Sequence, residues 1–477
     1  MYQFTQNDVR QIQNHGLNID VVHQQMMNFV AGFPYSDIVR PAVIGDGVHV
    51  MPGDEYAKYY DAHRDEYKIV KFVPASGAAT RMFKDLFEFL STGVMNKTTQ
   101  VVLDNLEQFA FWDDLKRCVP ENPTAHDVIE CLITPRGLNY GALPKALLKF
   151  HRYKDANRTA LAEHLVEGAQ YAVTNGNVNV HFTVSPEHMA GVDDLLAQIV
   201  PEYQAKFGVK YNISGSVQKA STDTIAVNLD NTPFRDDDGA LLFRPAGHGA
   251  LIENLNDIDG DLIFIKNIDN VCPDGARHDT IDNKKRLAGL AMQIQKQIFE
   301  YLRALDSGTA DLEQIVDFIN NNLGIVADVN SDLYAILNRP LRVCGIIKNT
   351  GEPGGGPFWV RGADGVCSLQ IVEPGQIAPE NIDILKSGEF FNPVDLICMT
   401  RDYKGNKFDL TKYVDADAGF ICEKSKNGRV LRAMERPGLW NGAMAKWNTV
   451  FVETSLNTFT PAKVISDLLG GGHMVNE

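Results

Sequence analysis

The chain has 477 residues, is 44% hydrophobic and 22% charged, and sets 45 Lys and Arg against 61 Asp and Glu, for a formal charge of −16. The apolar fraction excludes a disordered chain, and the acidic balance excludes a general nucleic-acid binder, which needs a basic face against phosphates. No apolar run approaches the roughly 18 residues that cross a bilayer, so neither nucleic acid nor a membrane is an expected partner. A small phosphorylated substrate held by a few local Lys and Arg remains compatible with this charge. The seven cysteines are scattered, with no Cys-x-x-Cys pair and no zinc spacing. They are expected as reduced thiols of a cytoplasmic protein.

Thr5 and Asp8 form a capping-box pattern in a polar N-terminal stretch that does not read as a signal peptide. Val9, Ile12, Leu17, Ile19, Val22 and Met26 give residues 1–66 a mainly helical pattern. This region is expected as a helical extension ahead of one domain over 67–477. A strand is expected over 67–73, then a loop over 74–81, a helix over 82–90 and helical patterns to about 170. A strand over 178–184, a helix over 192–206, a buried strand over 261–268 and a long helix over 284–305 follow. Strands alternating with helices predict an α/β fold: a doubly wound, mostly parallel mixed sheet with helices on both faces and active residues at the carboxyl ends of strands. Strand patterns over 342–349, 367–373, 395–399 and 447–453 assign the last third, 341–477, to sheet continuation and covering loops.

Four segments carry candidate chemistry. Ala75, Ser76, Gly77, Ala78, Ala79 and Thr80 are small residues between a strand and a helix, with the Arg81 cation at the mouth. They make either a phosphate cradle of outward N–H groups or an ordinary turn; neither a Walker loop nor a Gly-x-Gly-x-x-Gly motif is present. Lys145, after Pro144, is either a point charge for phosphate or a surface lysine ahead of a helix. Gly247 and Gly249 flank His248, which lays backbone against a flat ligand or opens a helix, with the histidine a positioner rather than a base. Asp269 and Asn270 end the strand over 261–268, where an open α/β sheet places Mg²⁺ and substrate, or where Asp simply caps. Asp236, Asp237 and Asp238 read as a solvated hairpin tip.

In this order the segments resemble motifs of the nucleotide-diphosphosugar pyrophosphorylases, above all the UDP-glucose and UDP-N-acetylhexosamine enzymes. The likeness runs from Ser76-Gly77-Ala78-Ala79-Thr80-Arg81 through Pro144-Lys145, Gln218, Pro245-Ala246-Gly247-His248-Gly249 and Asp269-Asn270. It continues through the Leu369 to Glu373 stretch, Phe391-Asn392-Pro393-Val394-Asp395 and Phe459-Thr460-Pro461-Ala462-Lys463. The overall likeness is to a bacterial domain-of-unknown-function family, number 4301. Gly354-Gly355-Gly356-Pro357-Phe358-Trp359 and the Glu435 to Ala445 segment carry it over most of the chain. That family brings no activity. The first loop has one glycine where the pyrophosphorylases have several. The stretches 354–359 and 440–445 have no counterpart there, and form either a lid or acceptor pocket or a packing of two tryptophans on glycine-rich backbone.

The resemblance implies transfer of a nucleoside monophosphate, uridylyl by preference, from a nucleoside triphosphate to a sugar-1-phosphate with release of pyrophosphate. Asp269 and Asp395 would hold Mg²⁺, and Arg81, Lys145 and Lys463 would face phosphates. The 75–80 loop, Gln218 and the 247–249 turn would bind the nucleotide, and Glu373 and Asn392 would meet the sugar on the side covered by 341–477. A non-catalytic nucleotide or sugar-phosphate binder on the same fold, and a nucleotide-sugar glycosyltransferase, are the alternatives.

Overall fold

The computed structural model describes residues 2–475 except Ala78, Asp155 and Pro353. The chain divides into two units: Met1–Gly53, Gln218–Asp261 and Leu290–Glu453 in one, Asp54–Val217, Leu262–Gly289 and Thr454–Glu477 in the other.

In the second unit, four runs rich in β-branched and aromatic residues form parallel strands in the order Leu262–Lys266, Ile69–Pro74, Asn177–Thr183 and Lys210–Ser216. Val173–Thr174 adds a short antiparallel edge through a turn at Asn175 and Gly176, both at positive φ. Chain order runs outward from Ile69–Pro74 to Lys210–Ser216, but Leu262–Lys266 lies on the opposite side of Ile69–Pro74. The strand order therefore reverses between Ile69–Pro74 and Leu262–Lys266. A crevice outside the carboxyl ends of two such strands is where doubly wound sheets bind ligands. The apolar face of Asn177–Thr183 (Val178, Val180, Phe182) packs into a core with Leu161, Leu165 and Ile129.

In the first unit, Leu341–Lys348 runs parallel to Asn448–Glu453, which leads to Gly47–His49 and then Val43–Ile44, while Phe390–Met399 pairs antiparallel with Leu341–Lys348. A smaller antiparallel sheet joins Asp37–Pro41, Gly356–Arg361 and Cys367–Val372. The hairpin Phe420–Lys426 with Arg429–Glu435 completes the β structure used below.

The Thr5 capping box forms and starts the helix Gln6–Asn14, which Ile19–Ala31 follows. The mainly helical pattern expected over 1–66 is interrupted rather than continuous: Asp37–Pro41, Val43–Ile44 and Gly47–His49 are strands, and a third helix, Glu55–His63, follows them. These segments are too short for a period to show, and Asp37–Pro41 and Gly47–His49 take partners hundreds of residues away. The helices expected to about 170 are likewise interrupted by the hairpin of Lys149–Arg152 with Asn157–Thr159. The aspartates 236–238 do form a hairpin tip: Gly239 takes positive φ, and Lys426 and Arg429 pair with Asp236 and Asp237. Among the described residues, no helix is long and apolar enough to cross a membrane.

Candidate active site

In the second unit, the loop after Ile69–Pro74 is pinned at both ends. The Ala75 N–H donates to the Thr183 carbonyl at 3.0 Å and the Ala79 N–H to Leu143 at 3.2 Å, while Ser185 Oγ donates to the Ser76 carbonyl at 3.0 Å. Ala75 and Ala79 are buried, and Gly77, Thr80 and Arg81 are exposed. A Cβ added at Gly77 would meet nothing within 4 Å, so this backbone faces open space. Ala78 lies outside the described residues. The helix expected from residue 82 begins later: Ala79–Arg81 is a 3₁₀ turn and the α-helix is Lys84–Thr92, with Phe83 as an N-cap lacking a side-chain bond. The helix terminus is therefore displaced from the loop, and the cation available there is Arg81, which forms no ion pair among the described residues.

Lys145 begins a 3₁₀ turn fixed by Pro144. Its Nζ donates to Asp269 Oδ2 and to the Ala462 carbonyl, both at 2.7 Å. Asp269 in turn takes the Ala462 N–H on its main-chain oxygen at 3.0 Å, and Asn270 Oδ1 takes the Thr460 N–H at 2.9 Å. The Ile465 N–H closes on the Met82 carbonyl at 3.2 Å. Arg81, Lys145, Asp269 and the segment bearing Lys463 are thus tied together at the strand ends, although nearly 400 residues separate the first from the last. Lys463 Nζ lies 5.6 Å from the centre of the Phe459 ring. The side chains of Lys145 and Asp269 are 15% and 22% exposed, so a ligand can reach the pair. Among the described residues, no three His, Cys, Asp or Glu side chains cluster as a preformed metal cage. A magnesium ion is commonly held by one or two carboxylates plus substrate phosphates, a role that the accessible Asp269 carboxylate fits.

Sequence reading missed what lies beneath this rim. Lys71 and Lys266, both buried, meet Glu167 of the helix Ala160–Tyr171 at 2.9 and 2.8 Å. His164 Nε2 donates to the carbonyls of Asn267 and Ile268, at 3.2 Å each, steadying the approach to Asp269. The available signal was a single lysine inside each otherwise apolar strand run.

In the first unit, the 247–249 turn meets protein. A Cβ at Gly249 would overlap the Pro437 carbonyl, and one at Gly247 would press on the Glu435 carboxylate at 2.6 Å. The flat partner of His248 is the Trp440 indole, stacked at 4.2 Å and 14°. The Leu439 N–H donates to His248 Nδ1 at 2.9 Å. That bond leaves the ring proton on Nε2, which faces Glu373 Oε1 at 3.4 Å. Burial works to raise the Glu373 pKa, but His248 and then Asn441 hold it below its ordinary value. Glu373 is 27% exposed and retains an accessible carboxylate. Of the two tryptophan stretches, Trp359 packs on Gly47 and under Arg40, and Trp440 on His248, so the packing alternative describes both. Gln218 Nε2 is buried without a hydrogen-bond partner among the described residues. Asn392 and Asp395 lie buried in Phe390–Met399, where Asn392 Oδ1 accepts the Val394 N–H and Asp395 pairs in register with Gly345. Asp395 thus belongs to a different unit from Asp269.

A family model described as a domain of unknown function (DUF4301) matches residues 5–474. No curated protein matches the sequence. Among solved structures, a point mutant of UDP-glucose pyrophosphorylase from Leishmania major superposes with a TM-score of 0.50 at 14% identity, over 97% of this chain and 78% of its own. UDP-N-acetylglucosamine pyrophosphorylase from Trypanosoma brucei gives 0.49 at 10% identity, over 98% and 79%. The first of these likenesses identifies the mixed α/β, mainly parallel-sheet fold as that of the UDP-sugar pyrophosphorylases.

Proposed function

The chain belongs to the DUF4301 family, whose model spans residues 5–474, and we propose that it is a sugar nucleotidyltransferase, joining a nucleoside monophosphate from a nucleoside triphosphate to a sugar-1-phosphate and releasing pyrophosphate. The observation that carries this reading is Lys145, which bridges Asp269 and the Ala462 carbonyl at the strand ends beside the 75–81 loop. A plain surface lysine would not join three distant segments at a topological switch point.

In the reaction, an oxygen of the sugar phosphate attacks the α-phosphorus. One P–O bond forms, the α–β anhydride bond breaks, and pyrophosphate leaves with the electron pair. The protein forms no covalent intermediate; it holds two anions in line and neutralises charge. The open loop backbone at Gly77 and the Arg81 cation grip the β- and γ-phosphates. Lys145 and Lys463 present fixed positive charge toward the reacting phosphates, where preorganised charge acts most strongly. Asp269 would hold Mg²⁺, which when bound supplies Lewis-acid neutralisation of the phosphate oxygens. The 247–249 turn is filled by the 435–440 segment of its own unit.

Pyrophosphate release with a panel of nucleoside triphosphates and sugar-1-phosphates tests this. Magnesium-dependent release with one pair, uridine nucleotides foremost, is the expected result. Nucleotide binding without turnover for any pair would instead leave a nucleotide-binding protein.

A further inference from the structure

The two strands that deliver the phosphate loop and Asp269 are apolar except for one inward lysine each. Lys71 Nζ donates to Glu167 Oε2 and to the His164 carbonyl, both at 2.9 Å. Lys266 Nζ donates to Glu167 Oε1 at 2.8 Å. Lys71, Lys266 and Glu167 are at most 2% exposed at the side chain. Among the described residues, Glu167 is the carboxylate these two ammonium groups share, so with both protonated this trio carries one surplus positive charge.

Among the described residues, no second carboxylate pairs with either ammonium group. On the Glu167 helix, Tyr171 donates its hydroxyl to Glu167 at 3.2 Å and lays its ring 5.1 Å from Lys71 Nζ. His164, its Nε2–H given to main-chain carbonyls, is kept neutral by burial first and Lys71 second. From the long helix His278–Ser307, Lys284 adds a further positive field, and Arg277 acts on Glu167. A buried, unbalanced cation is costly in isolation. An anion above it removes that cost. Lys71 stands three residues before Pro74 and Lys266 three before Asp269, so the surplus lies about 10 Å beneath the strand ends at ~3.3 Å per residue. Phe72, Val73 and Ile268, which span that gap, are buried, so screening there is weak.

We propose that Lys71 and Lys266, sharing Glu167, form a proton-accepting layer beneath the phosphate site: one lysine gives up its proton in the ligand-free chain and recovers it from solvent when a polyanion binds above. This rests on the reading of the strand ends as a phosphate site. Lys71 is the member that titrates. Burial draws its pKa down to about 7 against the opposing pull of Glu167, and an anion overhead raises it again. The proton is taken up without covalent change, and triphosphate affinity weakens as pH rises past neutrality, by at most about tenfold per pH unit for one proton.

The test is calorimetric titration of the full chain with magnesium–UTP at pH 8, where the terminal phosphate is fully ionised, in two buffers of different ionisation enthalpy, and again across pH 7 to 9. The wild-type chain takes up a fraction of a proton per UTP and binds several-fold more weakly at pH 9 than at pH 7. Lys71→Met leaves Lys266 and Glu167 as a balanced pair. It keeps its melting temperature, binds without proton uptake, and shows affinity independent of pH. Wild-type binding with no proton uptake overturns the inference, and that measurement stands by itself should Lys71→Met fail to fold. Equal uptake by a folded Lys71→Met also overturns it. Failure of the wild-type chain to bind a magnesium–nucleotide at any of these pH values overturns the phosphate-site reading, and this inference with it.

Discussion

The strand ends of the second unit and the glycine turn of the first are candidates of similar weight in the sequence, and the structure sorts them differently. At the strand ends, Gly77 faces open space and Lys145 ties Asp269 to the segment before Lys463. At the 247–249 turn, Gly249 presses on Pro437 and His248 stacks on Trp440. Both regions use small residues, but in one the backbone faces open space and in the other the protein fills it. A glycine motif alone does not distinguish the two; a charged side chain that draws distant segments to one strand end does.

Substitutions can sharpen or break this contrast. The largest effect is expected at the strand ends: Asp269→Ala, and separately Lys145→Met, should lower turnover by about 10²–10³-fold, the scale of a lost electrostatic contact in a transition state, with the melting temperature little changed. Steady-state pyrophosphate assays beside thermal melts check this, and activity retained in Asp269→Ala would remove the metal assignment. In the first unit the expectation inverts. Gly249→Ala forces a Cβ into the Pro437 carbonyl and should cost about 1–3 kcal/mol of stability, as overpacking does. Its counterpart Gly77→Ala should leave denaturant unfolding unchanged and weaken only nucleotide binding. A destabilised Gly77→Ala, or a fully stable Gly249→Ala, would break the comparison.

Acid provides a third, smaller probe. Burial, then the neighbouring His151, depresses His473 from 6.5 to about 3. The unfolded chain therefore binds this proton more readily, so the stability contribution is complete above pH ~6.5 and is lost as pH falls toward 3. Melting temperatures between pH 7 and 4 should fall, and His473→Gln should flatten part of that fall; an unchanged slope would contradict the neutral, buried assignment. The smallest effect is expected at the aspartate tip, where Asp237→Asn should shift stability by less than about 0.5 kcal/mol in urea unfolding.

The repeated strand–helix alternation made the second unit's sheet readable, because Ile69–Pro74 and Leu262–Lys266 are apolar runs, each with a single lysine, between turn signals. The short strands before residue 50 were not readable: Asp37–Pro41, with a polar, proline-ended sequence, pairs with Gly356–Arg361 more than 300 residues later. Asp269, Lys145 and Arg81 could be named from motif order, but the Lys145 bridge to Ala462 could not, since it depends on a main-chain carbonyl. The stacking of His248 on Trp440 was hidden, because stacking leaves no spacing pattern. The lysines at 71 and 266 were visible as oddities in apolar strands, yet only the placement of Glu167 shows that they share one carboxylate.

The central claim, that the Asp269 rim holds a metal-bound triphosphate, is tested most directly by anomalous diffraction from crystals grown with Mn²⁺ and UTP. A manganese peak within bonding distance of the Asp269 carboxylate, with phosphates running toward Arg81 and the 75–81 loop, is the predicted result. Nucleotide density elsewhere in the molecule, with no metal at Asp269, would contradict the account.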